Sequence, residues 1–422
     1  MTIYSKAPFK HVTEFTNLTT EELFATPEFV SAVLAAAGGG GLEGTNYIFV
    51  AANGTDVENA AELQAAYTTA QGMSPSATNR ITIVAAPGYY NFGATFFVMN
   101  TDCIDLVSLD GNRSIIFNSS DPNGSIMLDF VSDVYVKGVD VQNKGFRVET
   151  YYPGVTVENC KGGDYSFSSG FFNIGGTFKN CEAGSYSFGD ADAGTNANGT
   201  FIDCKAGAYS FGKNANGTFI NCTSDSNSFG FKGNATGTFK NCIGNTFCFG
   251  SNNVLSTPTP TFATGSFENC FAGSNSFGFT YGYVGGTTGI FKNCTVNGNY
   301  GFGSNASGTY ENCKANDDSF GLLGIASGTF TNCTGTGYNF GYVGTANGIY
   351  RNCIGGPLSF GGNGGTMSGQ AYFCTGGSGS FGTTLTGKLY YCKLTSGNFP
   401  TVSGSGQTRL CLSGTNVENN QG

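Results

Sequence analysis

The sequence predicts an all-β chain wound as a parallel β-helix, a single-stranded solenoid whose coils take about 20 residues each. Three observations carry that fold class. First, twelve cysteines recur along the C-terminal two-thirds, at Cys160, Cys181, Cys204, Cys222, Cys242, Cys270, Cys294, Cys313, Cys333, Cys353, Cys374 and Cys392. Second, a phenylalanine follows eleven of them by seven residues, from Phe167, Phe188, Phe211 and Phe229 to Phe399, and Phe302 follows Cys294 by eight. The interval between cysteines varies from 18 to 28 residues, so each turn combines one constant unit with one variable loop. Third, the constant unit reads G-T-F-x-N-C-x-x-G-x-[YN]-S-F-G, in which Phe, Tyr and Thr favour strands and Gly and Asn favour turns. Paired helices need about 33 residues per repeat, more than any of these intervals offers.

In chain order, residues 1–45 form a mixed segment in which Thr19 or Thr20 can cap a first helical turn, Pro27 can open a second, and Gly38 to Gly41 stop it. One or two short helices and a hinge are expected there. The apolar run from Phe29 to Ala37 is too short to cross a bilayer and follows acidic residues, so neither membrane insertion nor a signal peptide is expected. Residues 46–150 are less repetitive: a strand, a helix at about Val57 to Ala70, and a strand ending at Pro87-Gly88 form the cap and opening coils. Residues 151–422 form the repetitive shaft.

Reading the shaft as columns explains residue types that single repeats do not. The position before the cysteine is Asn159, Asn180, Asp203, Asn221, Asn241, Asn269, Asn293, Asn312, Asn332 and Asn352. Asn tolerates the left-handed conformation of a sharp corner, and stacked amides can bond from coil to coil, so Asn180, Asn221 and Asn241 are expected to be rungs of a structural ladder. Glycine follows the phenylalanine in ten coils, from Gly189 to Gly382, and marks the next corner. Two before the cysteine, Glu158 with Lys179, and Glu268 with Lys292 and Glu311, are expected to alternate as weak surface pairs. The cysteines, Cys181, Cys222 and Cys242 among them, read as a packed column of reduced thiols. Parallel Cβ vectors suit disulfides poorly, and without a C-x-x-C pair, and with His11 as the only histidine, there is no metal ligand set. Cys103 and Cys248 read as packing residues, and no cofactor is expected.

A net charge of −9 with only 11% charged residues makes nucleic acid an improbable partner. Glycoside hydrolysis needs two carboxylates about 5 to 9.5 Å apart. The sparse candidates are Asp190 and Asp192 in one loop, Asp203 and Asp225 on nearby coils, and Asp317 with Asp318; Lys205 and Lys213 stand isolated as lyase bases. No catalytic residue is assigned. Binding needs only exposed aromatic and polar groups, and two insertions supply them: Ser251 to Thr264, with Phe262, and Thr280 to Thr288, with Tyr281 and Tyr283. These three are the receptor-binding candidates; the same insertions could instead cover a subunit interface. Tyr165, Tyr186 and Tyr209 read as a packed inner row in preference to a sugar-stacking strip. The threonine column at Thr177, Thr200, Thr218 and Thr238 breaks at Ser266 and Ile290, which argues against ice binding.

The phrases N-Y-I-F-V-A-A-N-G-T-D-V-E-N-A-A-E-L-Q-A-A-Y and R-I-T-I-V-A-A-P-G-Y-Y-N-F in residues 46–150 resemble the start of pectate-lyase-like right-handed parallel β-helix proteins, and in particular of bacteriophage tailspike and tail-fibre proteins. The resemblance covers residues 46–411 as architecture. It implies a helix over the open end of the solenoid and a structural virion appendage, made in the host cytoplasm, that attaches to a host-surface glycan or protein without catalysis. It further implies a homotrimer joined to other virion or tail proteins through residues 1–45. A secreted bacterial β-helix adhesin and a polysaccharide depolymerase tailspike are the alternatives. One departure is that the repeat runs to within about one coil of Gly422, with no separate C-terminal domain expected.

Overall fold

The computed structural model describes residues 46–420 apart from 121–123, 143–144, 150–152, 168–172, 191–192, 253–259, 281–284, 322–323 and 415. The helices and hinge expected in residues 1–45 lie outside the described residues. What is described is nearly all β, a right-handed parallel β-solenoid of about 14 turns with a helix near its N-terminal side. The described residues divide into two compact units, those of 46–147 with 154–163, and those of 148–153 with 164–420.

In the first unit, β1 (Asn46–Val50) lies parallel to β2 (Ile81–Ala85), which lies parallel to β3 (Ile104–Ser108), and the succession continues through Tyr135–Lys137 and Thr156–Glu158. Between β1 and β2 runs α1 (Asp56–Gly72), within two residues of the span expected. Thr55 and Glu58 close a capping box at its start, with Glu58 accepting from the Thr55 amide at 2.8 Å. Its buried face is Asn59, Ala60, Leu63, Ala66, Tyr67 and Ala70, a helical period that seats the Tyr67 ring edge-on against Phe97 at 5.4 Å. Arg80 forks onto the wholly buried Asp105 at 2.6 and 2.8 Å and bonds Asp133 at 2.8 Å, and burial pushes the Asp105 carboxyl up against that pairing.

In the second unit the repeat motif becomes columns through strict parallel register. Thr177–Lys179, Thr200–Ile202, Thr218–Ile220 and Thr238–Lys240 pair residue for residue, and the succession runs on to Gln407. Because strand side chains alternate, Thr and the residue before the Asn face outward while the Phe between them faces in. Phe178, Phe201, Phe219, Phe239, Phe267, Phe291, Tyr310, Phe330 and Tyr350 form one wholly buried column. Phe188, Phe211, Phe229, Phe249, Phe277, Phe302, Phe320, Phe340, Phe360 and Phe381 form a second. Rings stack near-parallel within a column, as for Phe219 on Phe239 at 4.8 Å and 3°, and Phe211 on Phe229 at 4.6 Å and 4°. Between columns they meet edge to face, as for Phe219 and Phe229 at 5.6 Å and 88°. From Phe178 to Phe360 each ring is thus held in both favourable aromatic geometries at once.

The corners explain the sequence between the rings. The Asn column adopts left-handed backbone, with φ of 49° at Asn180, 54° at Asn221 and 53° at Asn241. Its amides relay from coil to coil: Asn221 to Asp203 at 2.8 Å, Asn241 to Asn221 at 2.9 Å, Asn269 to Asn241 at 3.0 Å, and onward to Asn352. Positive φ at the glycines after the second Phe column is also found, at 72° in Gly212 and 92° in Gly230. The structure extends it to the phenylalanines themselves, with 52° at Phe188, 58° at Phe211 and 53° at Phe229. A bulky residue is costly there, and complete burial of the stacked ring offsets the cost. A further inner column was missed: Ser187, Ser210 and Ser228 are wholly buried, and each hydroxyl accepts the amide of its predecessor one coil back, as Ser210 does from Ser187 at 3.1 Å.

All fifteen cysteines are buried and none is in a disulfide. The column has a thirteenth member that the reading of the repeat left out. Cys411 directs its thiol to the Leu389 and Arg409 carbonyls, both at 3.6 Å, as Cys392 does to Ala371 and Tyr390 at 3.4 and 3.5 Å. Burial pushes the thiols of Cys204, Cys222, Cys270, Cys313 and Cys353 well above their ordinary range, and that of Cys248 up to about 12. The charge column corrects two expected pairs. Glu158 meets Lys137 at 3.1 Å, its partner in register, rather than Lys179; Glu268 turns to Lys240 at 3.5 Å, leaving Lys292 to Glu311 at 3.6 Å.

The Asn corner yields a direct test. Asn241→Ala and Asn241→Gly delete the same two amide rungs, but only glycine accepts the left-handed backbone freely. Urea unfolding should find the alanine variant less stable than the glycine variant by about 1 kcal/mol; equal losses would show that the backbone conformation contributes nothing.

Candidate functional site

The variable loops sit where the outward columns are interrupted. The two insertions spring from consecutive coils: Asn252 bridges to Thr280 in parallel register, its amide donating to the Phe279 carbonyl at 2.8 Å. On their far side Thr261 returns to the same anchor, its amide donating to the Thr280 hydroxyl at 3.0 Å and the two hydroxyls sharing a bond at 2.9 Å. Asn252, Thr261 and Thr280 are all buried, so both insertions are pinned at their roots. Of the receptor-binding candidates, Phe262 lies in the short strand Phe262–Ala263, half-buried, with its amide donating to Asn234 at 2.9 Å. Tyr281 and Tyr283 lie outside the described residues.

Beside these roots runs an outer aromatic edge. Tyr165, Tyr186 and Tyr209 stack at 4.9 and 5.0 Å with planes within 7°, and Tyr165 is 57% exposed. The expectation of a packed inner row is therefore corrected: left-handed backbone at each, with φ of 57° to 58°, turns these side chains outward, while the neighbouring Ser and Phe fill the interior. Where the column has Asn227 or Asn275 in place of Tyr, an aromatic from across the next corner takes its place. Phe231 meets Tyr209 edge-on at 5.5 Å, and Phe279 lies 6.3 Å from Phe247 and 5.4 Å from Tyr300. That exchange was visible as S-N-S-F-G-F at both 226–231 and 274–279, against Y-S-F-G at 186–189 and 209–212. Stacked tyrosines cover one another's faces, leaving edges and hydroxyls for a ligand rather than a sugar-stacking platform.

Three of the candidate carboxylates have local work. Asp203 accepts the Asn221 amide within the ladder, Asp190 is buried and accepts the Ala193 amide at 3.2 Å, and Asp317 accepts the Thr336 hydroxyl at 3.2 Å. Burial and neighbouring Asp317 raise the Asp318 carboxyl. Asp192 lies outside the described residues. Among the described residues, no three His, Cys, Asp or Glu side chains are placed to hold a metal ion, and no helix is long and apolar enough to cross a membrane. No protein-family model matches this chain, and neither does any curated protein or solved structure.

The shared anchor can be cut at a single buried side chain. Thr280→Val removes the acceptor of the buried Thr261 amide, while the Thr261 hydroxyl keeps its bond to the Phe279 carbonyl at 3.3 Å, and should cost about 1–3 kcal/mol. Hydrogen exchange should rise locally at Asn252 and at 260–264; unchanged exchange there would show that the insertions are held elsewhere.

Proposed function

We propose that this chain is a non-catalytic subunit of a virion appendage, a tail fibre or tailspike, that attaches the particle to a glycan or protein on a host surface. The observation that carries the reading is the pair of insertions rooted side by side at Thr261 and Thr280 and bordered by the aromatic edge. Insertions on neighbouring coils of a solenoid are where such proteins meet partners. Fifteen buried thiols suit a chain that folds in a reducing host cytoplasm before release. The opening phrase of residues 46–150, which resembles that of tailspikes, supports the same reading. In this proposal residues 1–45 join the subunit to other virion proteins, and the subunits associate as a homotrimer.

The test incubates the full chain with host-cell surface polysaccharide and reads bound protein and released oligosaccharide together. Saturable binding without release is expected, weakened about tenfold or more by Tyr281→Ser with Tyr283→Ser. Release of oligosaccharide would replace this reading with a depolymerase and direct attention to Asp190 and Asp192.

A further inference from the structure

The amide ladder stops at Asn352, and the next three rungs of the same corner are Phe373, Tyr391 and Leu410. All three keep the left-handed backbone, with φ of 54°, 55° and 51°, and are 60%, 46% and 41% exposed. Phe373 and Tyr391 stack at 5.0 Å. In the adjoining outward column the register runs Arg351, Tyr372, Tyr390, Arg409. There the Arg351 guanidinium lies over the Tyr372 ring at 5.6 Å, and Tyr372 stacks on Tyr390 at 5.1 Å. Lys388 and Lys393, in the same coil as Tyr390, flank this surface from the columns on either side.

The charge of this region differs from the rest of the chain. Between Asp318 and Glu418 the sequence holds no Asp or Glu, and its charged residues are Arg351, Lys388, Lys393 and Arg409. That stretch carries +4, so with a net charge of −9 the remainder carries −13. Lower in the solenoid, outward lysines meet glutamates, as Lys240 does Glu268 and Lys292 does Glu311. Within residues 319–417 no carboxylate is there to meet them, and the next one in sequence, Glu418, lies opposite Cys411 on the strand that pairs with Gln407–Ser413.

We infer that Arg351, Tyr372, Phe373, Tyr390, Lys388 and Arg409 form a binding face for an acidic polysaccharide, separate from the insertions. The cations meet sugar carboxylates, and the Tyr hydroxyls and Gln370, which accepts from Tyr372 at 2.7 Å, meet sugar hydroxyls. The exposed Phe373 ring supplies the apolar contact. Three coils separate Arg351 from Arg409, about 14 Å at ~4.8 Å per coil, so several sugars can lie along the column. Single-stranded nucleic acid fits less well, because its bases bind through open ring faces. Here Tyr372 and Tyr390 cover each other, and Arg351 covers the other side of Tyr372.

The inference deepens the attachment reading by naming the glycan as acidic, and the two fail separately. Full-length protein is titrated by calorimetry with an oligogalacturonate hexasaccharide, with its methyl-esterified form, and with a short single-stranded DNA. The acid form should bind about tenfold or more tightly than the ester, and the gap should close on raising NaCl from about 0.05 to about 0.5 M. Lys388→Gln with Lys393→Gln should weaken acid binding about tenfold, and Phe373→Ser should weaken both forms. All three replaced side chains are at least partly exposed, so an unchanged thermal midpoint is expected and serves as the check on folding. Equal affinity for acid and ester, indifference to the lysine changes, or tighter binding of DNA overturns the inference. Acid binding without binding to host cells supports this face and sinks the attachment reading. Host binding indifferent to Lys388 and Lys393 sinks this face alone.

Discussion

Parallel, in-register stacking places each residue directly over its counterpart one coil away, and every other feature follows from that constraint. A residue type repeats only if it is compatible with itself at about 4.8 Å. Asparagine qualifies because one amide both donates and accepts, and the relay from Asn352 down to Asp203 uses each in turn. Phenylalanine qualifies by stacking, serine by its paired donor and acceptor, and cysteine by pairing with backbone carbonyls while remaining a small apolar group. Like charges do not qualify, which accounts for Lys240, Glu268, Lys292 and Glu311 alternating in sign.

The backbone strain of the corners is distributed unevenly. Each typical coil holds left-handed residues at the Asn, at the outer Tyr or Asn, at the inner Phe and at the following Gly. Only the glycine is unstrained there; the others are held by contacts that exist only when neighbouring coils are present. A single coil would therefore not keep this shape, and stability is shared between neighbours in the manner of repeat proteins. The outward columns are freer to vary. They are interrupted at the two insertions and change character at Phe373, Tyr391 and Leu410, the places where binding is proposed.

Much of the fold was legible because the repeat is nearly exact. The β-helix, the left-handed Asn corner, the glycine corner, the thiol column and α1 could all be read from spacing and residue type. What was missed lay where spacing alone is ambiguous. The Tyr165 column is two residues from an inward Phe, so strand alternation puts it inside, but the left-handed turns between them break that alternation. Cys411 was overlooked because no phenylalanine follows it at the usual distance. The pairing of Glu158 with Lys137 depended on a strand outside the recognised repeat. The C-terminal face could have been found as A-Y-F-C, L-Y-Y-C and T-R-L-C replacing F-x-N-C, together with the absence of carboxylates between Asp318 and Glu418.

The inward register of the columns is most directly tested by counting reactive thiols under non-reducing conditions, first on the folded chain and then in denaturant. None of the cysteines should react while folded, since each is at most 6% exposed, and all fifteen should react once unfolded. Rapid reaction of several thiols in the folded chain would contradict the inward column, and fewer than fifteen after unfolding would show that stacked cysteines are joined as disulfides.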